Sequence, residues 1–479
     1  MSAVPEAIIS TRNENVTNYV VGSFNDGRLL KVGALLFKKI INNMSTKIKK
    51  LAMNRAEQMA FSRFLSNKKT TTDEIEDSIA QKTNENSINK KHVLCINDTV
   101  EVNYSSQSDK KSKFGVNRNK KKSDKEPVKG FLSHPGLIVN AENNDILGLS
   151  SIKVWTRQEA ELEDKRSRPI EEKESYKWVE AAEKAKNNIT NADMLTIIGD
   201  RESDIYELFD RVPDNKTHII TRSMHNRKLI TGVTIGGHME KVLPTNRYKI
   251  DLPPVTGKRK ARKATIAIKY SNIEIKAPHD TKSDINNDSI KLTCIEAEEI
   301  NFEAKDEKPI FWRLLTTHKV NTAKEAKQII LWYSWRWNVE QVFRTMKKKG
   351  LKIEECEVAE PEALFKMFIL ALAAAVKILC LVNARDGNTD RQASDIFSDE
   401  EILVLAAALL KVNGRTKKQQ NSHKYGTLSW ASWIIARLGN WNGYACESPP
   451  GPITMYDGLD KFMNYVEGWK LAQKDVCIG

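Results

Sequence analysis

Hydrophobic positions change their spacing several times along this chain, and each change marks a different kind of element. Over residues 28–66 (RLLKVGALLFKKIINNMSTKIKKLAMNRAEQMAFSRFL) apolar residues recur at helical spacing with Lys and Arg between them, which predicts a helical segment. Residues 67–91 are polar and read as a connector. Short apolar runs then alternate with charged stretches. His92–Asn97 is followed by Asp98, and Met194–Gly199 by Asp200, while Leu132–Val139, Ile146–Trp155, Thr217–Arg222 and Phe311–Thr317 form further strand-like runs. A charged helical pattern covers residues 157–190. Strands and helices alternate, so the fold class is α/β. From about residue 228 to 310, short strands punctuated by turn residues predict a β-rich insertion. Residues 104–128 are lysine-rich and of low complexity, and predict a mobile loop. Residues 321–349 predict one long helix. Met367–Val382 predicts a buried helix, being interrupted by Lys377 and too short to span a bilayer. A polar break at Ala384–Asp395 precedes a helical region with aromatic stripes, WASWIIARLG and GLDKFMNYVEGWKLA, and a basic loop at Asn413–Lys424.

The helix at 321–349 carries the most distinctive chemistry. At about 100° per residue, Tyr333, Arg336, Glu340 and Lys347 fall within roughly 60° of arc. Leu331, Trp335, Val342 and Met346 lie on the opposite side, which predicts a buried face there. One acid is thus flanked by an aromatic hydroxyl, an arginine and a lysine. A carboxylate that binds metal beside cations that grip phosphate suits phosphodiester chemistry, although a solvated face with spaced charge pairs has the same pattern. Two strands end in an acid, Asp98 and Asp200, and each taken singly is also a common turn former or helix cap. Adjacent strand ends can bring Asp98 and Asp200 together, and a helix packed on the sheet can add Glu340. Three carboxylates at one point repel one another and call for divalent cations, with hard oxygen ligands favouring Mg²⁺ or Mn²⁺, two ions per site.

Charge narrows the partners. The 479 residues carry a net charge of +14, which favours a polyanion, nucleic acid before membrane. Arg28 and Arg63 in the first helical segment, and Lys258 and Arg259 in the TGKRKARK run, are candidates for the phosphate backbone. The six cysteines are scattered without a C-x-x-C pair, so they predict reduced thiols in a cytosolic protein. The eight histidines show no paired ligand spacing that would suggest structural zinc. The first residues, MSAVPEAIISTRNENV, lack the basic-then-apolar pattern of a signal peptide, and the expected localisation is cytoplasmic.

These residues, in order and spacing, resemble the bacterial insertion-sequence transposases with a DDE triad and a Tyr-Arg-Glu-Lys motif. Cys95-Ile96-Asn97-Asp98-Thr99 is similar to the family's first-aspartate strand. Gly199-Asp200-Arg201-Glu202-Ser203-Asp204-Ile205 is similar to its second-aspartate block. Tyr333-x-x-Arg336-x-x-x-Glu340-x-x-x-x-x-x-Lys347 fits the motif at every position. Asn97 and Gln341 stand where the family carries acids. The resemblance implies a ribonuclease-H-like catalytic core over residues 71–385, with the β-rich insertion at about 228–310 inside it. It implies a helical DNA-binding domain at 1–70 and a helical dimerisation domain at 386–479. It implies Asp98, Asp200 and Glu340 as catalytic metal ligands and Tyr333, Arg336 and Lys347 on phosphates. It places Trp312 beneath a flipped base and Arg201 and Arg222 near a DNA hairpin. The expected function is cut-and-paste transposition of double-stranded DNA by a homodimer on paired ends, acting at the nucleoid without a membrane. The alternatives are a catalytically silent DNA-binding regulator and a metal-dependent nuclease of the same fold.

Overall fold

The computed structural model describes residues 21–104, 114–117, 128–157, 168–252, 260–279, 284–302, 308–347, 350–444, 447 and 449–476. The chain opens with α1 (Gly27–Asn43), α2 (Ile48–Leu51), α3 (Arg55–Ser66) and α4 (Thr72–Asn86). Next come β1 (Val93–Asn97), β2 (Val100–Asn103), β3 (Val116–Asn117), β4 (Val128–Asn140), β5 (Ile146–Trp155), α5 (Lys177–Asn188), β6 (Leu195–Gly199), α6 (Tyr206–Arg211) and β7 (Thr217–Arg222). The middle of the chain forms α7 (Ile235–Met239), β8 (Asn246–Leu252), β9 (Arg262–Lys276), β10 (Ser289–Ile300) and β11 (Phe311–Thr316). It closes with α8 (Ala323–Ser334), α9 (Trp337–Met346), α10 (Pro361–Ala384), α11 (Asp399–Val412), α12 (Leu428–Leu438) and α13 (Pro452–Val476).

One mixed sheet organises the molecule. β4 pairs with β5 on one edge and with the collinear β1 and β2 on the other, and the sheet continues β1-β6-β7-β11-β10-β9-β8. β1, β6 and β7 run parallel, and every residue of β1 and β6 is buried. That fits strands covered on both faces, whose sequences read as unbroken apolar runs. The two faces take alternate residues. Leu94, Ile96, Ile198 and Ile220 face a core shared with α8, α9 and α10, while Val93, Cys95, Ile197 and Ile219 face α5 and α6. The β-rich stretch is no separate body, because β8, β9 and β10 extend the same sheet through β11.

The helix α10 sits at the centre. It is long and apolar enough to cross a membrane, longer than the run that suggested otherwise, yet 94% of its most apolar stretch is buried inside the protein. Its Lys366 ammonium donates to the carbonyls of Leu65 and Asn67, and so ties α10 to the end of α3. A single apolar core runs from Leu36 and Phe61 through Leu94 and Phe368 to Trp430 and Phe462. The N- and C-terminal helices therefore share one core with the sheet and α8 to α10.

Several sequence expectations change. Residues 67–91 contain α4, opened by a reciprocal cap between Thr71 and Glu74 and burying Ile75 and Ala80. Part of the lysine-rich stretch is anchored: Phe114 is buried in an aromatic cluster with Tyr104, Phe131 and Phe365. The helical pattern at 157–190 yields α5 alone among α-helices, with residues 158–167 outside the described residues. Cys95, Cys294, Cys356 and Cys380 are buried thiols outside any disulfide. Cys446 and Cys477 lie outside the described residues.

At the amino end of the parallel strands, three histidines gather where none was foreseen. The His218 and His318 rings stack at 4.0 Å, and Thr196 Oγ1 lies 2.8 Å from both His92 Nε2 and His318 Nε2. Burial pushes His92 down to about 4 and His318 down to about 2, with neighbouring histidines adding to both shifts. The unfolded chain takes up these protons near the ordinary value of 6.5. It therefore binds more protons than the folded chain as pH falls, and stability present above 6.5 is lost down to about 4 for His92 and about 2 for His318. Urea unfolding should show a lower midpoint at pH about 5 than at neutrality, and His318→Gln should flatten that dependence. A wild-type midpoint that does not move with pH would refute the assignment.

Candidate active site

Strand register builds the site. Ile96 pairs with Ile198, so two residues further along both strands Asp98 stands abreast of Asp200. Gly199 pairs with Thr221, so Asp200 stands abreast of Arg222. Strand alternation keeps these three side chains on the face of Leu94, Ile96, Ile198 and Ile220, the face covered by α8, α9 and α10. Trp312 joins them, since Leu314 on β11 pairs with Arg222 and Trp312 lies two residues before it.

The covering element differs from the single helix expected at 321–349. The chain is helical on both sides of Trp335 and Arg336, but there the amides of Arg336, Asn338 and Val339 bond carbonyls three residues back. Ser334 Oγ donates to the Leu331 carbonyl at 2.6 Å, a side-chain bond that favours bending. This tight turn divides α8 from α9 and rotates their faces. Tyr333 is consequently buried at 4% exposure and Leu331 is exposed at 44%, the reverse of the straight-helix expectation, while Val342 and Met346 are buried as expected.

Arg336 dominates the electrostatics. Its Nη1 donates to Asp98 Oδ2 at 2.7 Å and its Nη2 to Glu340 Oε1 at 2.5 Å. Burial pushes the Asp98 carboxyl up to about 6; Arg336 opposes this, while Asp200 and Glu340 add to it. Burial also raises the Tyr333 hydroxyl, which lies in the fields of Arg336, Arg222 and Asp200. Burial lowers Arg222, with Arg201 and Arg336 adding to the shift and Tyr333 opposing it, and its Nη2 donates to the Phe311 carbonyl at 3.0 Å. Asp98, Asp200, Glu340, Tyr333, Arg336, Arg222 and Arg201 thus occupy one electrostatic neighbourhood. The Trp312 ring packs edge-on against Tyr333 at 5.2 Å.

The aspartates are rigidly mounted. Asp200 caps a short 3₁₀ turn, accepting from Glu202 N at 2.8 Å, and its carbonyl accepts from the Ser203 and Thr221 hydroxyls. A Cβ at Gly199 would meet Ser203 Oγ at 2.3 Å, so that position is closed to larger residues. Asp98 Oδ1 accepts from Thr99 N at 2.8 Å. Reading single residues missed Asp204. Its buried carboxylate accepts from Met224 N, His225 N and Arg227, and clamps the loop after β7 beside the site. Its place four residues after Asp200 was the available signal.

Other expected residues lie elsewhere. Lys347, at the end of α9, has partners other than the three acids: its ammonium donates to the Glu101 carbonyl and pairs with Glu354 at 3.3 Å. Arg28 on α1 pairs with Asp26, and Arg63 on α3 is exposed. Lys258 and Arg259 lie outside the described residues. The carboxylates suit a hard divalent cation in kind. Among the described residues, however, no three acidic, histidine or cysteine side chains converge closely enough to hold one, and Arg336 supplies the positive charge between Asp98 and Glu340.

Residues 178–377 match the family described as the transposase DDE domain. The chain therefore carries a DNA transposase domain. The matched stretch includes Asp200 and Glu340 and begins after Asp98, which the sheet register brings to them. Among solved structures, the chain is similar to piggyBac transposase in a synaptic complex with hairpin DNA. The identity is 9% and the TM-score 0.35, over 91% of this chain and 76% of that one.

The raised Asp98 carboxyl has a stability consequence. The unfolded chain loses that proton near 3.8, before the folded chain does, so stability falls as pH rises from 3.8 to about 6. Asp98→Asn should therefore stabilise the cation-free protein near neutrality by about 1 kcal/mol, as removal of strained active-site charge often does. Calorimetric melting would check it, and a lower melting temperature would mean that the Arg336 pair outweighs the repulsion.

Proposed function

We propose that this protein is a cut-and-paste DNA transposase of the Tyr-Arg-Glu-Lys kind, resembling the transposase of transposon five. The observation that carries the reading is the single row of Asp98, Asp200 and Arg222 across three parallel strands, covered by Arg336 and Glu340. The strand order β5-β4-β1-β6-β7, with β4 antiparallel to β1, supports a ribonuclease-H-like core.

In this reading Asp98, Asp200 and Glu340 would hold Mg²⁺ or Mn²⁺, two ions per site, only once Arg336 releases Asp98 and Glu340, and the bound ions would supply the positive charge that phosphodiester cleavage needs. The protein's own groups do the rest. Arg336 exchanges its carboxylate bridge for a DNA phosphate, since a guanidinium forks onto phosphate as readily as onto carboxylate. Arg222 and Arg201 line the same mouth and attract the backbone. Tyr333, buried against Trp312, orients Arg222 and Arg336 through its hydroxyl. Trp312 offers an aromatic face for a base displaced at a hairpin. The basic exposed side chains of α1 and α3, with the Lys258–Arg259 run, suit binding to transposon ends. A homodimer on paired ends, acting in the cytoplasm, and joining of the 3′ ends to target DNA complete the scheme.

One observation favours a second reading, a catalytically silent DNA-binding regulator: Arg336 ties up Asp98 and Glu340. A DNA fragment carrying the inverted repeat from beside the gene separates the two. With Mg²⁺ and wild-type protein, a denaturing gel should show nicked and hairpin-ended products, lost in Asp200→Ala and Glu340→Ala by at least about a hundredfold. DNA that is retarded in a native gel but never cut, even with Mn²⁺, would leave the regulator.

A further inference from the structure

Behind the carboxylates, on the opposite face of the sheet, lies a second layer of polar side chains that the chemistry above does not use. Asn97 pairs with Gly136 and Val100 with Ser133, so Asp98 falls opposite Pro135 and Thr99 opposite His134. Pro135 brings no N–H to the ladder at the position facing Asp98. The tie is made instead by side chains: Thr99 Oγ1 lies 2.9 Å from His134 Nδ1, while the Thr99 amide holds Asp98 Oδ1. His134 is fully buried. Its ring packs edge-on against Trp178 at 4.4 Å, and Trp178 lies directly beneath Gly199, where its Cζ3 would stand 2.9 Å from an added Cβ. A continuous path thus runs from Asp98 through Thr99, His134, Trp178 and Gly199 to Asp200.

We propose that His134, acting through Thr99, is a positioning residue for the reaction: with Trp178 it fixes the separation and aim of the Asp98 and Asp200 carboxylates. The proposal rests on the transposase reading above. His134 Nε2 and Trp178 Nε1 are buried without hydrogen-bond partners among the described residues. Two such groups are costly to keep in an apolar layer, where plain hydrocarbon would pack at no such penalty. Keeping a histidine there is explained by the bond its Nδ1 makes. Burial, with Lys177 and Lys153 adding their charges, holds the imidazole neutral. It therefore places no second cation behind Asp98. Loss of a residue that orients a ligating side chain typically costs about 10–100-fold in cation affinity or activity.

The test uses full-length protein on the inverted-repeat DNA with Mg²⁺, alongside crystal structures of the variants. Thr99→Val removes the hydroxyl and keeps the shape, and His134→Leu removes the imidazole nitrogen and keeps the bulk. Each should lower kcat by roughly 10–100-fold, with KM for DNA unchanged. Thr99→Ser and His134→Asn, which keep a hydrogen-bonding atom in place, should restore most of the rate. A loss caused by poorer folding alone would follow melting temperature and would not be rescued by these pairings. In the crystals, the Asp98 carboxylate should shift by about 1 Å relative to Asp200 in the Val and Leu variants, a displacement large enough to matter for the rate. Wild-type rates in Thr99→Val and His134→Leu would overturn the proposal. If the wild-type protein itself cuts no DNA, the transposase reading fails, and Asp98 unmoved in both variants would then overturn this one independently.

Discussion

The parallel register of β1, β6 and β7 is the constraint on which the rest depends. Each strand ends at the same level, and each places its last inward-facing residue on one face, so Asp98, Asp200 and Arg222 form a row. A slip of one residue in any of these pairings would turn that strand's contribution to the far side of the sheet. The apolar runs that precede the three residues prevent such a slip, because Leu94, Ile96, Ile198 and Ile220 would leave their core at the same time.

Assembling acids in a row carries an electrostatic cost. Burial and mutual repulsion hold Asp98 at about 6, and the fold offsets part of this with one guanidinium shared between Asp98 and Glu340. Arg336 sits at the tight turn between α8 and α9, bonded to Asp98 and, four residues on, to Glu340. Tyr333 is buried and Leu331 exposed, so the hydroxyl lies on the side of Arg336 and Arg222.

The central helix α10 explains why the terminal helices are inseparable from the sheet. With apolar residues all round, it must be covered on every side, and α1, α3, α12 and α13 cover what the sheet does not. The Lys366 ammonium, bonded to carbonyls at the end of α3, is stable in that interior because its donors are satisfied.

By itself the sequence determined the α/β class, the strands that end in Asp98 and Asp200, and the residue types of the Tyr333–Glu340 group, because local spacing encodes period and face. It also marked Trp312 and Arg222, though only by resemblance. Tertiary structure decided the rest, because it depends on pairings far apart in the chain. It set Asp98 beside Asp200, about a hundred residues away, through β1–β6 register. It drew β8, β9 and β10 into the catalytic sheet and made a helix of the polar stretch at α4. It gave Lys347 the Glu101 carbonyl and Glu354 as partners, which arrive from other elements and which local spacing does not mark. His134 and Trp178 were invisible in the sequence for the same reason: nothing local marks a buried histidine whose partner arrives from a neighbouring strand.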